Sequence, residues 1–260
     1  MHSTFPIHCH RNSNQRLLIP SILKDLEDLQ TENEHFPLKP LTTRKKPFDS
    51  LKETDPQKLL ISAIKRIAIQ YKKLPLSEIL ELLHSGNKNE RLCAVLIMTL
   101  QYKESKEEQK GILCSEYLKH THLMDSKKLI DCSASKIVGV HYQNYDRSIL
   151  YKLAQSEWSW DRRIAVLACR HYISNYDYGD LLKIAQILLS DSEIQIQEAV
   201  GWMLNEIGKQ DKELEEEFLL KHRKHMPENM LRSAVRDFNQ EDKDYYLEFP
   251  ISKSASVPFV

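Results

Sequence analysis

The feature that most restricts the fold of this chain is a long segment almost free of helix-breaking residues. Only Pro75 and Pro227 occur between Gln57 and Phe249, and the whole chain contains 6 glycines. Proline and glycine are the strongest interrupters of helices, so this segment can be helical almost throughout, with short turns. No run of alternating polar and apolar residues predicts a strand. The segment therefore predicts an all-α fold.

Helix start signals recur along this segment at a nearly constant spacing. Alternate predicted helices begin at Asn87, Asp125, Trp158 and Ser192, at intervals of 38, 33 and 34 residues. A two-helix unit of about 35 residues is typical of an α-solenoid, whose stacked units share a core that one pair cannot form alone. We therefore expect an α-solenoid of helical pairs, curved with a concave groove.

Apolar residues at three- and four-residue spacing, between start and stop signals, predict the individual helices. The predicted ranges are 21–29, 56–71, 77–86, 87–103, a helix containing 115–120, then 125–141, 146–157, 158–174, 180–190, 192–208, 211–225 and 229–238. Six of the 10 prolines lie in the first 56 residues. We therefore expect an irregular leader over residues 1–54 with one short helix, a helical repeat domain over 55–249 and a flexible tail over 250–260.

Charge and cysteine content narrow the class of protein further. Lys plus Arg and Asp plus Glu both total 37, which argues against a partner held by bulk charge alone but leaves a basic groove possible. No apolar run is long enough to span a membrane. The first 20 residues lack a continuous apolar region, so we do not expect secretion. Its five cysteines are scattered. We expect an intracellular protein with reduced thiols, in the cytoplasm or nucleoid of a bacterium or the nucleus of a eukaryote.

Stacked repeats place side chains from successive units on one surface. Asp131, Arg163 and Trp202 fall at similar offsets in their predicted helices, so we expect them to face one groove. Each also has an ordinary structural interpretation, because Asp and Arg commonly pair with opposite charges and Trp commonly packs in a core. Arg162 points about a third of a turn away from Arg163, so one of the two can face outward.

A dense basic cluster lies near the end of the repeat segment. Lys221–His225, which includes Lys224, is followed by Arg232 and Arg236 on the next predicted helix. These residues can clamp a phosphate, or they can stabilise a helix C-terminus through its dipole. His8–His10 contains metal-ligand residue types but lacks a second cluster at suitable spacing. Common enzyme motifs are absent, and we expect no metal and no cofactor.

Several sequence blocks, taken in order, resemble one family. They are ERLCAVLIMTLQYK, LIDCSASKIVG, EWSWDRRIAVLA, LLSDSEIQIQEAVGWMLNEIGKQD and MPENMLRSAVRDF. This order is similar to that of the AlkD-type DNA alkylation repair proteins, which are HEAT-like-repeat DNA glycosylases that remove alkylated purines. The resemblance covers roughly residues 60 to 240, and it implies that the helical pairs are HEAT-like.

The resemblance also implies roles for individual residues. Asp131 would be the catalytic acid, Trp202 a groove indole at the reacting base and Arg163 a groove arginine. The chain departs from the family at Lys127, where a second Trp is usual, and at Glu228 and Ser233, where Arg and Tyr are usual. Residues 36–51 replace an aromatic, glycine-containing segment. The residues expected to bind DNA are Arg163, Arg162, Lys127, Lys224 and Arg232.

Three functions are compatible with this sequence. The first is a monomeric DNA glycosylase that excises N3- or N7-alkylated purines from duplex DNA in base excision repair. The second is a HEAT-repeat protein that binds damaged or branched DNA without excising a base, which Lys127 favours. The third is a HEAT-like scaffold for another protein, because solenoids also offer extended surfaces to peptides.

Overall fold

The structure, a computed structural model, describes residues 18–35 and 56–247. These residues are mostly helical, no strand occurs among them, and the predicted all-α helical-repeat fold is confirmed. Within the described ranges, no helix is long and apolar enough to cross a membrane. The predicted domain limits near residues 54 and 249 fall outside the described ranges, so these limits stay predictions. The chain divides into two compact units, residues 1–101 and 102–260.

The first unit contains three helices and the beginning of a fourth within its described residues. They are α1 (Leu18–His35), α2 (Pro56–Gln70), α3 (Leu76–Leu83) and α4 (Lys88–Glu104). Helix α2 begins at a proline, and Pro75 directly precedes α3, as expected where the first backbone N–H needs no acceptor. Asn87 starts α4, since its Oδ1 accepts from the backbone N–H of Asn89 at 2.9 Å.

The second unit is built mainly from α-helices linked by single 3-10 turns and short loops. The helices are α5 (Glu107–Lys119), α6 (Lys127–Ala134), α7 (Ser148–Ala154), α8 (Ser159–Ala168), α9 (Arg170–Ile173), α10 (Gly179–Ile187), α11 (Ile194–Gly208), α12 (Lys212–His222), α13 (Glu228–Ala234) and α14 (Gln240–Leu247). Asp211 begins α12 by accepting from the backbone N–H of Leu214 at 3.0 Å.

Two predicted helices of this unit are interrupted, and one helix was missed. The predicted helix 125–141 is α6 followed by a π-helical turn, Ser135–Gly139. Near this break the Ser133 hydroxyl bonds the carbonyl of Leu129 at 2.6 Å, a contact that tends to bend helices. The predicted helix 158–174 divides into α8 and α9 at Cys169. Helix α14 is strongly polar, so its sequence lacks the apolar stripe that would have revealed it.

Helices α6, α8, α11 and α13 form a row in which neighbours run parallel. Residues in contact across neighbouring helices are about one repeat apart in the sequence. Later residues of one helix contact later residues of the next, which shows that the two helices run in the same direction. Gly139 and Gly201 lie where two such neighbours approach most closely. A Cβ at Gly201 would come within 2.2 Å of the Met230 carbonyl oxygen, and one at Gly139 within 2.4 Å of the Ala168 carbonyl oxygen. A glycine at these two positions therefore permits close contact between neighbouring helices.

We expect Gly201→Ala to destabilise the protein by about 1–3 kcal/mol or more, because the new methyl group meets backbone that cannot turn aside. The matched control is Gly111→Ala in α5, where a Cβ meets nothing within 4 Å. Alanine there should stabilise by up to about 1 kcal/mol through helix propensity. Urea unfolding of both variants checks the difference. Equal free energies of unfolding would contradict the close packing of α11 on α13.

Candidate functional site

A buried arginine links three helices of the row. Arg163 on α8 is only 3% exposed. Its Nε and Nη2 donate to the two carboxylate oxygens of Asp131 on α6, at 2.9 Å each. Its Nη1 donates to the backbone carbonyl oxygen of Gln195 on α11 at 2.5 Å. A planar guanidinium suits this arrangement, because it offers donors in a fixed fork that matches a carboxylate.

Asp131 is the exposed partner of this pair, since a third of its side chain remains accessible. Burial raises the pKa of its carboxyl above the ordinary value. The positive charges of Arg163, Lys127 and Arg170 act in the opposite direction and favour the ionised form. Asp131 is therefore a fixed, partly accessible acid whose ionisation depends on the surrounding cations.

Arg163 also lines a cleft between α8, α11 and the end of α13. The cleft encloses about 310 Å³, and Trp202, Glu198, Ser233 and Arg236 contribute to its walls. Asp131 thus bonds directly to Arg163, and Trp202 lies in the cleft that Arg163 lines. The cleft combines a guanidinium, an indole and a hydroxyl within reach of one ligand.

Trp202 already has polar neighbours within the protein. Its Nε1 lies 3.3 Å from the Glu206 carboxylate, and the Arg170 guanidinium carbon lies 5.1 Å from the centre of its ring. Arg170 is exposed and, within the described ranges, makes no ion pair with a carboxylate. One face of the indole is therefore in contact with a cation, an arrangement worth about 0.5–1 kcal/mol at an exposed position.

Lys127 and Glu198 form an ion pair beside the Asp131–Arg163 pair. Lys127 lies one turn before Asp131 on α6, and Glu198 lies one turn before Trp202 on α11. The lysine ammonium donates to Glu198 Oε2, and both side chains remain almost half exposed. An exposed ion pair contributes at most about 1 kcal/mol, so a stronger anion can displace the carboxylate from the lysine.

Within the described ranges, the other residues expected to bind DNA form no hydrogen bond or ion pair with Asp131, Arg163 or Lys127. Arg162 pairs with Asp191 at 2.6 Å, and its Nη1 donates to two backbone carbonyl oxygens. Arg232 pairs with Glu228 on its own helix at 2.6 Å. Lys224 is exposed in the 3-10 turn that follows α12. Their predicted contacts with DNA stay predictions.

Sequence reasoning did not single out Glu198 or Arg170. Glu198 could have been found from its four-residue spacing to Trp202, which matches the spacing of Lys127 to Asp131. Arg170 lies seven residues after Arg163, or about two helical turns. Its contact with Trp202 depends on the packing of α9 beside α11, for which the sequence carries no simple signal.

Metal-binding candidates are absent from the part of the chain that the structure describes. No group of three or more His, Cys, Asp or Glu side chains there is placed to hold a metal ion. His8–His10 lies outside the described residues, as does the segment 36–51.

Comparison with known proteins decides the family. The model of the DNA alkylation repair enzyme family matches residues 53–238. The chain belongs to this family. A search of curated proteins finds no match to the chain. The family match covers Asp131, Arg163 and Trp202, and the family description assigns the chain a role in DNA alkylation repair.

We expect Arg163→Leu to lower the free energy of unfolding by about 2–4 kcal/mol at neutral pH, because it leaves the Asp131 carboxylate partly buried without its main partner. Without the guanidinium, the pKa of Asp131 in the folded state rises further above its unfolded value. The variant therefore loses stability as the pH rises and the carboxyl ionises, so the destabilisation caused by Arg163→Leu should be smaller near about pH 4 than at neutral pH.

Urea unfolding at both pH values measures this effect. Arg232→Leu is the control, since it removes an arginine from an exposed pair and should change stability by no more than about 0.5 kcal/mol. A destabilisation that does not vary with pH would show that packing, and not charge, is the contribution of Arg163.

Proposed function

We propose that this DNA alkylation repair protein is a DNA glycosylase that excises N3- or N7-alkylated purines from duplex DNA. The observation that supports the proposal best is the Asp131 carboxylate, held by two hydrogen bonds from Arg163 beside a cleft lined by Trp202. An acid fixed in this way can act on a ligand without first reorganising its own hydrogen bonds.

The chemistry requires little of the protein, because the substrate carries its own activation. The alkylated purine is positively charged, so breaking the bond between C1′ and the base nitrogen releases a neutral base that keeps the bonding electron pair. Positive charge then develops on the deoxyribose. The Asp131 carboxylate stabilises that charge, and it accepts a proton from the water that attacks C1′.

We give Arg163 a different role from the direct DNA contact expected from the sequence. Its side chain is almost fully buried and its donors are directed at Asp131 and Gln195. We assign it to positioning Asp131 and to keeping the carboxylate ionised. The exposed cations Arg170 and Arg236 are better placed to meet backbone phosphates.

We expect Asp131→Asn to reduce release of methylated purine from alkylated duplex DNA by at least about a hundredfold, because the amide cannot stabilise positive charge as a carboxylate does. Asp244→Asn is the matched control, since Asp244 is exposed on α14 and, among the described residues, its carboxylate accepts a bond from Gln240 alone. Released base is measured by chromatography. Equal release by wild type and Asp131→Asn, above a no-protein background, would remove Asp131 from the mechanism.

A second function is favoured by the two cations that flank the site. The Lys127 ammonium stands one turn from Asp131, and Arg170 covers one face of Trp202. Both repel a cationic base and both attract phosphate. The alternative is therefore a protein that binds damaged or branched DNA without excision. Absence of base release by the wild type, together with saturable binding of the same DNA, would favour it.

The Lys127–Glu198 pair allows a test of phosphate binding in which two variants change in opposite directions. We expect Lys127→Gln to weaken DNA binding and to reduce the slope of log affinity against log salt concentration by about one. Glu198→Gln should strengthen binding, because it frees the ammonium. Lys152→Gln on α7 is the control for loss of an exposed lysine. Unchanged slopes in all three, measured by fluorescence anisotropy, would place Lys127 away from the phosphates.

A further inference from the structure

A second cavity lies at the C-terminal end of α11, and nothing in the proposed function uses it. It encloses about 360 Å³ between the end of α11, the first turns of α12 and the segment that follows α13. Asn205 and Glu215 form part of its wall, and the side chains of Lys209, Lys212 and Asp237 also line it. None of these residues lines the cleft that contains Trp202.

Two of the residues that line this cavity each carry a buried oxygen atom without a hydrogen-bond donor. Glu215 is 1% exposed and Asn205 is 2% exposed. Glu215 Oε1 and Asn205 Oδ1 have no partner among the described residues. A buried polar atom without a partner costs about 1–3 kcal/mol, and folded proteins leave few of them. Two such oxygen atoms on residues of one cavity leave room for a donor from outside the chain.

The position of Glu215 is fixed by a glycine. Its carboxylate occupies the space that a side chain at residue 208 would need, since a Cβ on Gly208 would lie 1.6 Å from Glu215 Oε2. The acid is therefore packed against the α11 backbone, and it cannot turn toward solvent without leaving a void. The fold itself therefore holds the carboxyl in place.

The charges around the cavity favour a positive ligand. Lys209 pairs with Glu206 and Asp237, and Lys212 pairs with Glu216 and Asp242. Asp237 also lies 3.9 Å from the Arg236 guanidinium. These four carboxylates therefore face three cations, and Glu215 adds a further negative charge only when it is ionised. Within the described ranges no group of side chains suits a metal ion, so a ligand that brings its own N–H donors fits better.

We infer that this cavity binds a small organic cation with several N–H donors, of the guanidinium or primary ammonium type. Its donors bond Glu215 Oε1 and Asn205 Oδ1, and its charge offsets the excess of carboxylates. The cavity is large enough for a few heavy atoms and too small for a folded partner.

Binding of this cation is linked to a proton. Burial, with the nearby charges of Glu216 and Asp237, raises the pKa of Glu215 to about 8, while Lys212 and Lys209 act in the opposite direction. Glu206 and Asp242 face the same lysines from α11 and α14. Glu215 is therefore mostly protonated at neutral pH in the free protein. A cation lowers this pKa and releases the proton, so affinity should rise roughly tenfold from about pH 6.5 to about pH 8.

The test uses the full chain and three probes in matched NMR titrations. Guanidinium carries charge and N–H donors, urea has the same planar shape without charge, and tetramethylammonium has charge without donors. Tetramethylammonium chloride also keeps the ionic strength constant. Signals are followed for the Asn205 side-chain amide, the Gly208 backbone amide and the Glu215 carboxyl carbon. Only guanidinium should give saturable shifts, and these should strengthen as the pH rises.

Two variants make the result specific. Glu215→Gln should abolish the saturable shifts, and it should fold normally because the amide is close in shape to the protonated acid. Glu216→Gln is the control, since it removes a neighbouring surface carboxylate and should retain most of the binding. Equal shifts with all three probes, no saturation, or full binding by Glu215→Gln would each overturn the inference. Base release is not measured here, so the outcome is independent of the proposed glycosylase.

Discussion

The arrangement of the inner helices depends on how the Arg163 guanidinium is satisfied. A charged group that is 3% exposed is tolerated only where hydrogen bonds replace water. Arg163 meets this requirement by reaching one repeat backward to Asp131 and one repeat forward to the Gln195 carbonyl oxygen. The same bonds that solvate the guanidinium thus fix the register of α6, α8 and α11. The position of the acid and the stability of the stack follow from one interaction.

The kind of ligand that can bind near the cleft depends on which of the neighbouring cations are exposed. Arg163 is buried and acts on Asp131, whereas Lys127 and Arg170 face solvent in contacts weak enough to exchange. A backbone phosphate can draw both away, which would free Glu198 from Lys127 and one face of Trp202 from Arg170. The groups that repel a cationic base are thus the groups that a phosphate would engage.

Much of the fold could be predicted because each repeat reuses the same local signals. Pro56, Asn87 and Asp211 start helices where the sequence indicates, and a spacing near one repeat correctly groups Asp131 with Arg163. The breaks were not predicted, because no proline or glycine marks Ser135 or Cys169, and the side-chain contacts near the first break, such as that of Ser133 with Tyr117 at 2.8 Å, are known only from the structure. The face shared by Asp131 and Arg163 was visible in the sequence, but the burial that makes Arg163 a positioning group was not.

Arg163 and Glu215 are both buried ionisable side chains of the second unit, but their hydrogen bonding differs. The Nε, Nη1 and Nη2 atoms of Arg163 each donate to an acceptor of the chain itself, so the guanidinium needs no ligand to satisfy it. Glu215 is packed just as firmly by Gly208, yet its Oε1 and the nearby Asn205 Oδ1 have no donor among the described residues. Because both environments exclude water to a similar degree, the difference lies in the missing donor. A fold that satisfies a buried guanidinium through three helices thus leaves the Glu215 carboxyl open to a donor from outside the chain.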